Sequence, residues 1–248
     1  MKKVKKTINK VISKFGYKVV SLKSAEAIPK TQIVFDLKGK ASPPFNSVPF
    51  AAETLEFFVK KFEFKTVLDV GSGEGRHSEV LNQVGKNVTS IDFGTSVYFD
   101  KKSDTHLCVT ADYNTFDFSE KFDAIWASHV LEHQPNPNLF LKKIHNDLKE
   151  GGVLALTVPP LKHDIVGGHV TLWNAGLLMY QLILAGFNCR DICVKSYGYN
   201  ISIVLKKKSI FSYPVLSYDS GDILKLGAYF PEGTTEPFNG EIEELNWK

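Results

Sequence analysis

From Lys65 to Leu205 the chain alternates short β-branched, apolar runs with longer stretches whose apolar residues recur every three or four positions. The short runs read as buried strands and the longer periodic stretches as helices. Strands are expected at residues 66–70, 87–91, 107–110, 122–127 and 153–158, the last entered through Gly151-Gly152, and again near 192–196 and 201–205. Helices are expected at 51–62, 76–84, 137–148 and 174–185. Strands joined by helices of this length imply right-handed crossovers and a mainly parallel sheet covered on both faces. The fold class is therefore α/β, a doubly wound sheet. Ligands on such sheets bind beyond the carboxyl ends of the strands, here the loops after residues 70, 91, 110, 127 and 158.

Charge divides the chain into three parts. Residues 1–30 carry nine Lys and one Glu, residues 31–208 nineteen charges of each sign, and residues 209–248 two Lys against seven acids. The net charge of +3 thus belongs to one end, and the body is neutral. This patterning gives a basic N-terminal helix with a Pro-rich lead-in over 1–50, a main domain over 51–208, and an acidic extension over 209–248 packed on the same domain. Val4, Ile8, Val11, Ile12 and Phe15 form one apolar stripe on the N-terminal helix, with Lys on its other faces. Docking on the body or on a second subunit, weak contact with an anionic membrane surface, and nucleic-acid binding are its three readings. A neutral body does not favour nucleic acid, and both monomer and homodimer stay open. No run approaches the about 18 apolar residues of a membrane span, nor is there a secretory signal, so a soluble protein is expected. Cys108, Cys189 and Cys193 are too few for a disulfide framework and lack zinc-like partner spacing, which suits the cytoplasm.

The chemistry concentrates in the first loop. Gly71-Ser72-Gly73-Glu74-Gly75 ends a strand and opens a helix, so its glycines admit a tight turn and a close ligand, and the helix start offers free N–H groups. Arg76 stands where a dinucleotide fingerprint needs its third Gly, and no Walker Lys is present. Asp92 closes the second strand, where an acid can accept both hydroxyls of a ribose. Asp112 closes the third, placed to accept from an amino group. Either acid alone is an ordinary cap or turn former, but their placement after successive strands is a pattern.

Residues 67–75, 90–92, 111–113, 122–133 and 148–154 together resemble the motifs of class I S-adenosylmethionine-dependent methyltransferases, in order, over about residues 53–205. The resemblance implies a Rossmann-like seven-stranded sheet of order 3-2-1-4-5-7-6 with strand seven antiparallel, and S-adenosylmethionine as cofactor. It implies Asp69 and Gly71 at the methionine end, Asp92 on the ribose, Asp112 and Tyr113 on the adenine, and Ser128 and His129 at the sulfonium. Ser72, Gly73 and Phe93 belong to the same implied set.

An alcohol acceptor must lose a proton, for which His is the commonest base. The loop over 159–173 holds His163, Asp164, Gly167-Gly168 and His169. His169 is expected as the base, with His163 and Asp164 as acceptor contacts or an orienting pair. The bland readings are a solvated His163 and a His169 that caps the next helix or packs under the loop. His129 and His133 are four apart, but no zincin pattern accompanies them and no metal is expected. Glu132 is read as a helix first-turn residue rather than an acid catalyst. Ala127-Ser128-His129 replaces the Asn-Pro-Pro-Tyr signature of amino-methylating nucleic-acid enzymes, which argues for O-methylation of a small polar acceptor. The wider pattern resembles methyltransferases of bacterial surface-polysaccharide pathways, which implies a sugar, an activated sugar or a phosphorylated intermediate. RNA methylation and a non-catalytic, S-adenosylmethionine-binding partner subunit are the alternatives.

Overall fold

The computed structural model describes residues 39–248, so the expected basic helix lies outside the described residues. In chain order the elements are α1 (Ala52–Lys61), β1 (Thr66–Val70), α2 (Arg76–Gln83), β2 (Asn87–Asp92), β3 (Val109–Thr110), β4 (Phe122–Ser128), α3 (Pro137–Asp147), β5 (Leu148–Val158), α4 (Ala175–Leu184), β6 (Cys193–Tyr197), β7 (Asn200–Lys206), a one-turn α5 (Asp222–Lys225) and β8 (Glu244–Leu245). They form one sheet of order β3-β2-β1-β4-β5-β7-β6-β8. Strands β3, β2, β1, β4 and β5 run parallel, and β7 lies antiparallel between β5 and β6. The expected doubly wound order is present.

Two local features depart from the sequence reading. Strand β5 begins at Leu148 and passes through Gly151-Gly152 as a bulge, its pairing moving from Phe122↔Leu148 to Ala124↔Val153. Gly151 takes φ +75°, and a Cβ on Gly152 would lie 2.8 Å from the Asp123 carbonyl. The glycine pair therefore lets the strand kink past β4 rather than ending it. The second departure is β8, a two-residue edge strand that pairs Val194 with Leu245. Close by, Trp247 stacks on Phe57 at 4.0 Å.

The strand period of two explains the core. Leu68, Val70, Ile125, Ala127, Leu154 and Leu156 point to one face, where α3 and α4 add Phe140, Ile144, Leu178 and Leu182. Val67, Ala124, Trp126, Val153 and Ala155 point to the other, against Leu55 and Phe58 of α1 and Leu81 of α2. Each fully buried Val, Leu, Ile or Phe among them stabilises by about 1.5–3 kcal/mol, so the sheet is held from both sides and its carboxyl-end loops stand on a rigid base. Asn174 caps α4 by accepting from the Leu177 N–H at 2.8 Å. Among the described residues no helix is long and apolar enough to cross a membrane. All three cysteines are free, with Cys189 and Cys193 buried.

Candidate active site

A cavity of about 770 Å³ opens over the carboxyl ends of β1, β2 and β4. Its first half is built from the glycine loop. Gly71, Gly73 and Gly75 all have positive φ, and a Cβ on Gly71 would lie 2.3 Å from a Val130 methyl. Only glycine lets this turn pass under the β4 loop. The turn is tied to β2 by a Gly71 N–H donated to the Ile91 carbonyl at 2.8 Å.

Asp92 fixes the next wall. Its two carboxylate oxygens accept from the Gly73 N–H at 2.9 Å and the Gly94 N–H at 2.8 Å. One acid therefore bridges the glycine loop and the turn after β2 while lining the cavity with Ser72 and Phe93. Asp112 closes β3 as an Asx turn, accepting from the Asn114 N–H at 2.9 Å. Tyr113 lines the cavity but turns its ring into the core, edge-on to Phe140 at 5.4 Å. Burial and the neighbouring Asp147 push its hydroxyl well above the usual range.

Asp69 lies elsewhere than the resemblance implied. Alternation along β1 turns its side chain beneath the loop, outside the cavity lining, where it accepts from the Ser78 hydroxyl of α2 at 2.6 Å. Burial pushes its carboxyl up to about 7, against the opposing Ser78 bond.

The second half is built after β4. Ser128 shares a 2.9 Å bond with Thr157. His129 follows in the left-handed region at φ 56° and donates its N–H to the Thr157 carbonyl. That turn aims its ring into the cavity, beside Phe50 at 5.2 Å and parallel to Tyr199 at 5.9 Å. His129 Nε2 meets Asn200 Oδ1 at 3.0 Å.

Glu132, expected on a helix first turn, instead sits in a 3-10 turn over Leu131–His133, and α3 starts only at Pro137. Its carbonyl accepts from the N–H groups of Val170 and Thr171, which pins the β5–α4 loop over it. The residue is fully buried, yet among the described residues neither carboxylate oxygen has a hydrogen-bond partner. The surrounding groups are imidazoles: His129 Nδ1 at 3.3 Å and His133 Nε2 at 3.9 Å. His169 completes the group, and one donor atom each from Glu132, His133 and His169 lie within 4.8 Å of one another. Burial moves the His169 pKa below the ordinary value, reinforced by His133 and His129 and opposed by Glu132. His169 lines the cavity, His163 is exposed outside it, and Asp164 lines a small adjoining cleft with Lys162 and Tyr199. The structure thus separates the histidines of this loop.

Among the wall residues, Phe50 and Tyr199 carry no expectation from the sequence, Glu132 is expected only as a helix residue, and His77 only as a surface or core residue. His77 donates to the Phe50 carbonyl at 3.0 Å, and burial holds its pKa down at about 4. Only Glu132 carried a signal, an acid flanked by two His directly after strand four.

Comparison with known proteins agrees with this architecture. Residues 46–188 match the model of a methyltransferase domain. Ubiquinone biosynthesis O-methyltransferases from Paramagnetospirillum magneticum and Hydrogenovibrio crunogenus are 38% and 34% identical over 104 and 107 residues, or 40% and 38% of this chain. Those matches span 42% and 44% of the relatives' own lengths, so the chain covers under half of each. A Burkholderia thailandensis 1,6-didemethyltoxoflavin-N1-methyltransferase, solved with 1,6-didemethyltoxoflavin and S-adenosylhomocysteine, shares the fold at TM-score 0.53 and 18% identity, over 63% of this chain and 77% of that one. With more than half of its length matched to that domain, and a cavity where such a sheet places its ligands, the chain belongs to the methyltransferase-domain family.

Proposed function

We propose that this chain is an S-adenosylmethionine-dependent O-methyltransferase acting on a small hydroxylated acceptor. The observation that carries the reading is one cavity with two unlike walls, the Gly71–Gly73 loop clamped by Asp92 on one side and the Glu132 histidine group on the other.

The cofactor fits the first wall. The tight turn at Gly71 and Gly73 lines the cavity, and Asp92 presents a carboxylate held by two N–H donors at the place of a ribose. Ala111, Asp112 and Tyr113 edge the place of the adenine. Held there, S-adenosylmethionine would supply a methyl group carried on a cationic sulfur, which would leave as a neutral thioether. The chain's own task is to hold the acceptor oxygen in line and relieve it of its proton. His129, placed by the β4 turn, and His169, lowered onto Glu132 by the β5–α4 loop, face that position, and the O–H proton passes to this group. His163 has no part in it.

The relatives' O-methylation supports a hydroxyl acceptor. Phe50 and Tyr199, on either side of His129, give this half an aromatic wall, which suits a hydroxylated ring better than a sugar with hydroxyls on most carbons. The surface-polysaccharide branch gains nothing from the relatives, which are named for ubiquinone biosynthesis. Three free thiols suit a reducing cytoplasm. A methyl-transfer screen of hydroxylated aromatics against phosphorylated and nucleotide-activated sugars, read by mass spectrometry, tests this reading. A gain of one methyl on a ring hydroxyl is expected, lost in His169→Ala. Cofactor binding without transfer to any acceptor would favour a non-catalytic partner subunit.

A further inference from the structure

We infer that Glu132, His133 and His169 form a binding site for a divalent transition-metal ion at the acceptor end of the cavity. The argument starts from hydrogen-bond direction. His133 Nδ1 lies 2.8 Å from the Gly168 carbonyl, which can only accept, so Nδ1 carries the proton and Nε2 presents its lone pair toward Glu132. His129 behaves alike. The Asn200 amide nitrogen is directed at the Tyr197 carbonyl, so Oδ1 faces His129 Nε2, and the His129 Nδ1 lone pair faces Glu132 at 3.3 Å. A fully buried carboxylate is thus met by nitrogen lone pairs, with no donor among the described residues hydrogen-bonded to either of its oxygens. Such an arrangement is costly unless a cation sits in it.

The donor set names the cation. Two imidazoles and one carboxylate suit zinc, manganese or iron(II). Metal–ligand bonds of about 2.1 Å bring ligand atoms to about 3.5 Å from one another, so side-chain rotation closes the observed span of up to 4.8 Å. The support around the ligands is also present: a ligating His hands its other ring N–H to a carbonyl, as His133 does to Gly168. The remaining coordination positions face the cavity that Glu132, His133 and His169 line. There an acceptor hydroxyl would bind the ion, which fixes its oxygen and lowers its pKa, and with His169 serving as a ligand the released proton would pass to His129 Nδ1. This role rests on the proposed O-methylation, whereas the binding site does not. The competing occupant is an extra proton on His129, paired with Glu132.

The test is calorimetry of the full chain, stripped with chelator, titrated with Zn²⁺ and with Mn²⁺ alone and checked by elemental analysis. One ion per chain is expected at micromolar concentration. His169→Ala and Glu132→Gln should each weaken it by about 30-fold or more, while the exposed His163→Ala leaves it unchanged. Because Glu132 is buried, circular dichroism must show each variant folded, and the half-buried His169 supplies the independent variant. No uptake below millimolar metal, or uptake that His163→Ala reduces as much as His169→Ala, overturns the site. S-adenosylhomocysteine titrated into the same stripped protein separates the outcomes: retained binding without metal uptake removes only the metal, and loss of both removes the methyltransferase reading.

Discussion

The two halves of the cavity are held by different kinds of bonds. In the cofactor half the two carboxylates and the glycine turn are already paired: Asp92 accepts two backbone N–H bonds, Asp112 closes its own Asx turn, and Gly71 is tied to β2. In the acceptor half Glu132 is buried without a hydrogen-bond donor among the described residues, and the loop above it exposes Ile165, Val166 and Val170. The first half is finished before a ligand arrives. The second keeps its strongest acceptor uncommitted, as a site must when it handles a proton or a cation.

Substitutions can break this contrast. Glu132→Gln should lower kcat by about 10²–10⁴, with S-adenosylhomocysteine affinity within about threefold of the parent, because the lost charge lies in the acceptor half. A matching loss of affinity in calorimetry would merge the two halves into one. Asp92→Ala should do the opposite. Two charge-assisted bonds of about 1.5–3 kcal/mol each anchor the glycine loop, so cofactor affinity should fall by about 100-fold or more, and thermal stability with it.

Asp69 sharpens the comparison from beneath the cofactor half. Its folded pKa of about 7 lies above the usual carboxylate value, so the folded chain binds a proton that the unfolded chain has already released. Stability from this group is full below about pH 4 and is lost as pH rises to about 7, a change of up to about 4 kcal/mol. Asp69→Asn should flatten that fall in melting temperature between pH 4 and 8. An unchanged pH profile would mean that the buried carboxyl is ionised throughout. The smallest effect is expected from His163→Ala, within about twofold of parental kcat, since an exposed side chain outside the cavity has no group to lose.

The same contrast explains what was legible in the chain. Buried parallel strands are near-continuous apolar runs, so β1, β2, β4 and β5 stand out, and the glycine loop and Asp92 lie at fixed offsets from them. Gly73 and Asp92 are 19 residues apart, within one strand–helix–strand unit. The acceptor half gathers Phe50, His129 with Glu132, His169 and Tyr199 from four separate segments, and no local period relates those segments. Glu132 looked like an ordinary helix residue because its burial depends on Val170 and Thr171 folding over its carbonyl. Strand β8 escaped notice because two residues on an edge carry no alternation. Asp69 holds the motif position of a ligand contact, but the period of two along β1 turns its side chain to Ser78, outside the cavity lining.

The most direct measurement is calorimetry of S-adenosylhomocysteine binding to the parent chain, Asp92→Ala and Glu132→Gln side by side. One site per chain is expected, weakened by about 100-fold or more in Asp92→Ala and nearly unchanged in Glu132→Gln. Absence of binding to the parent, or equal binding by all three proteins, would contradict the assignment of this cavity to a methyl-donor cofactor.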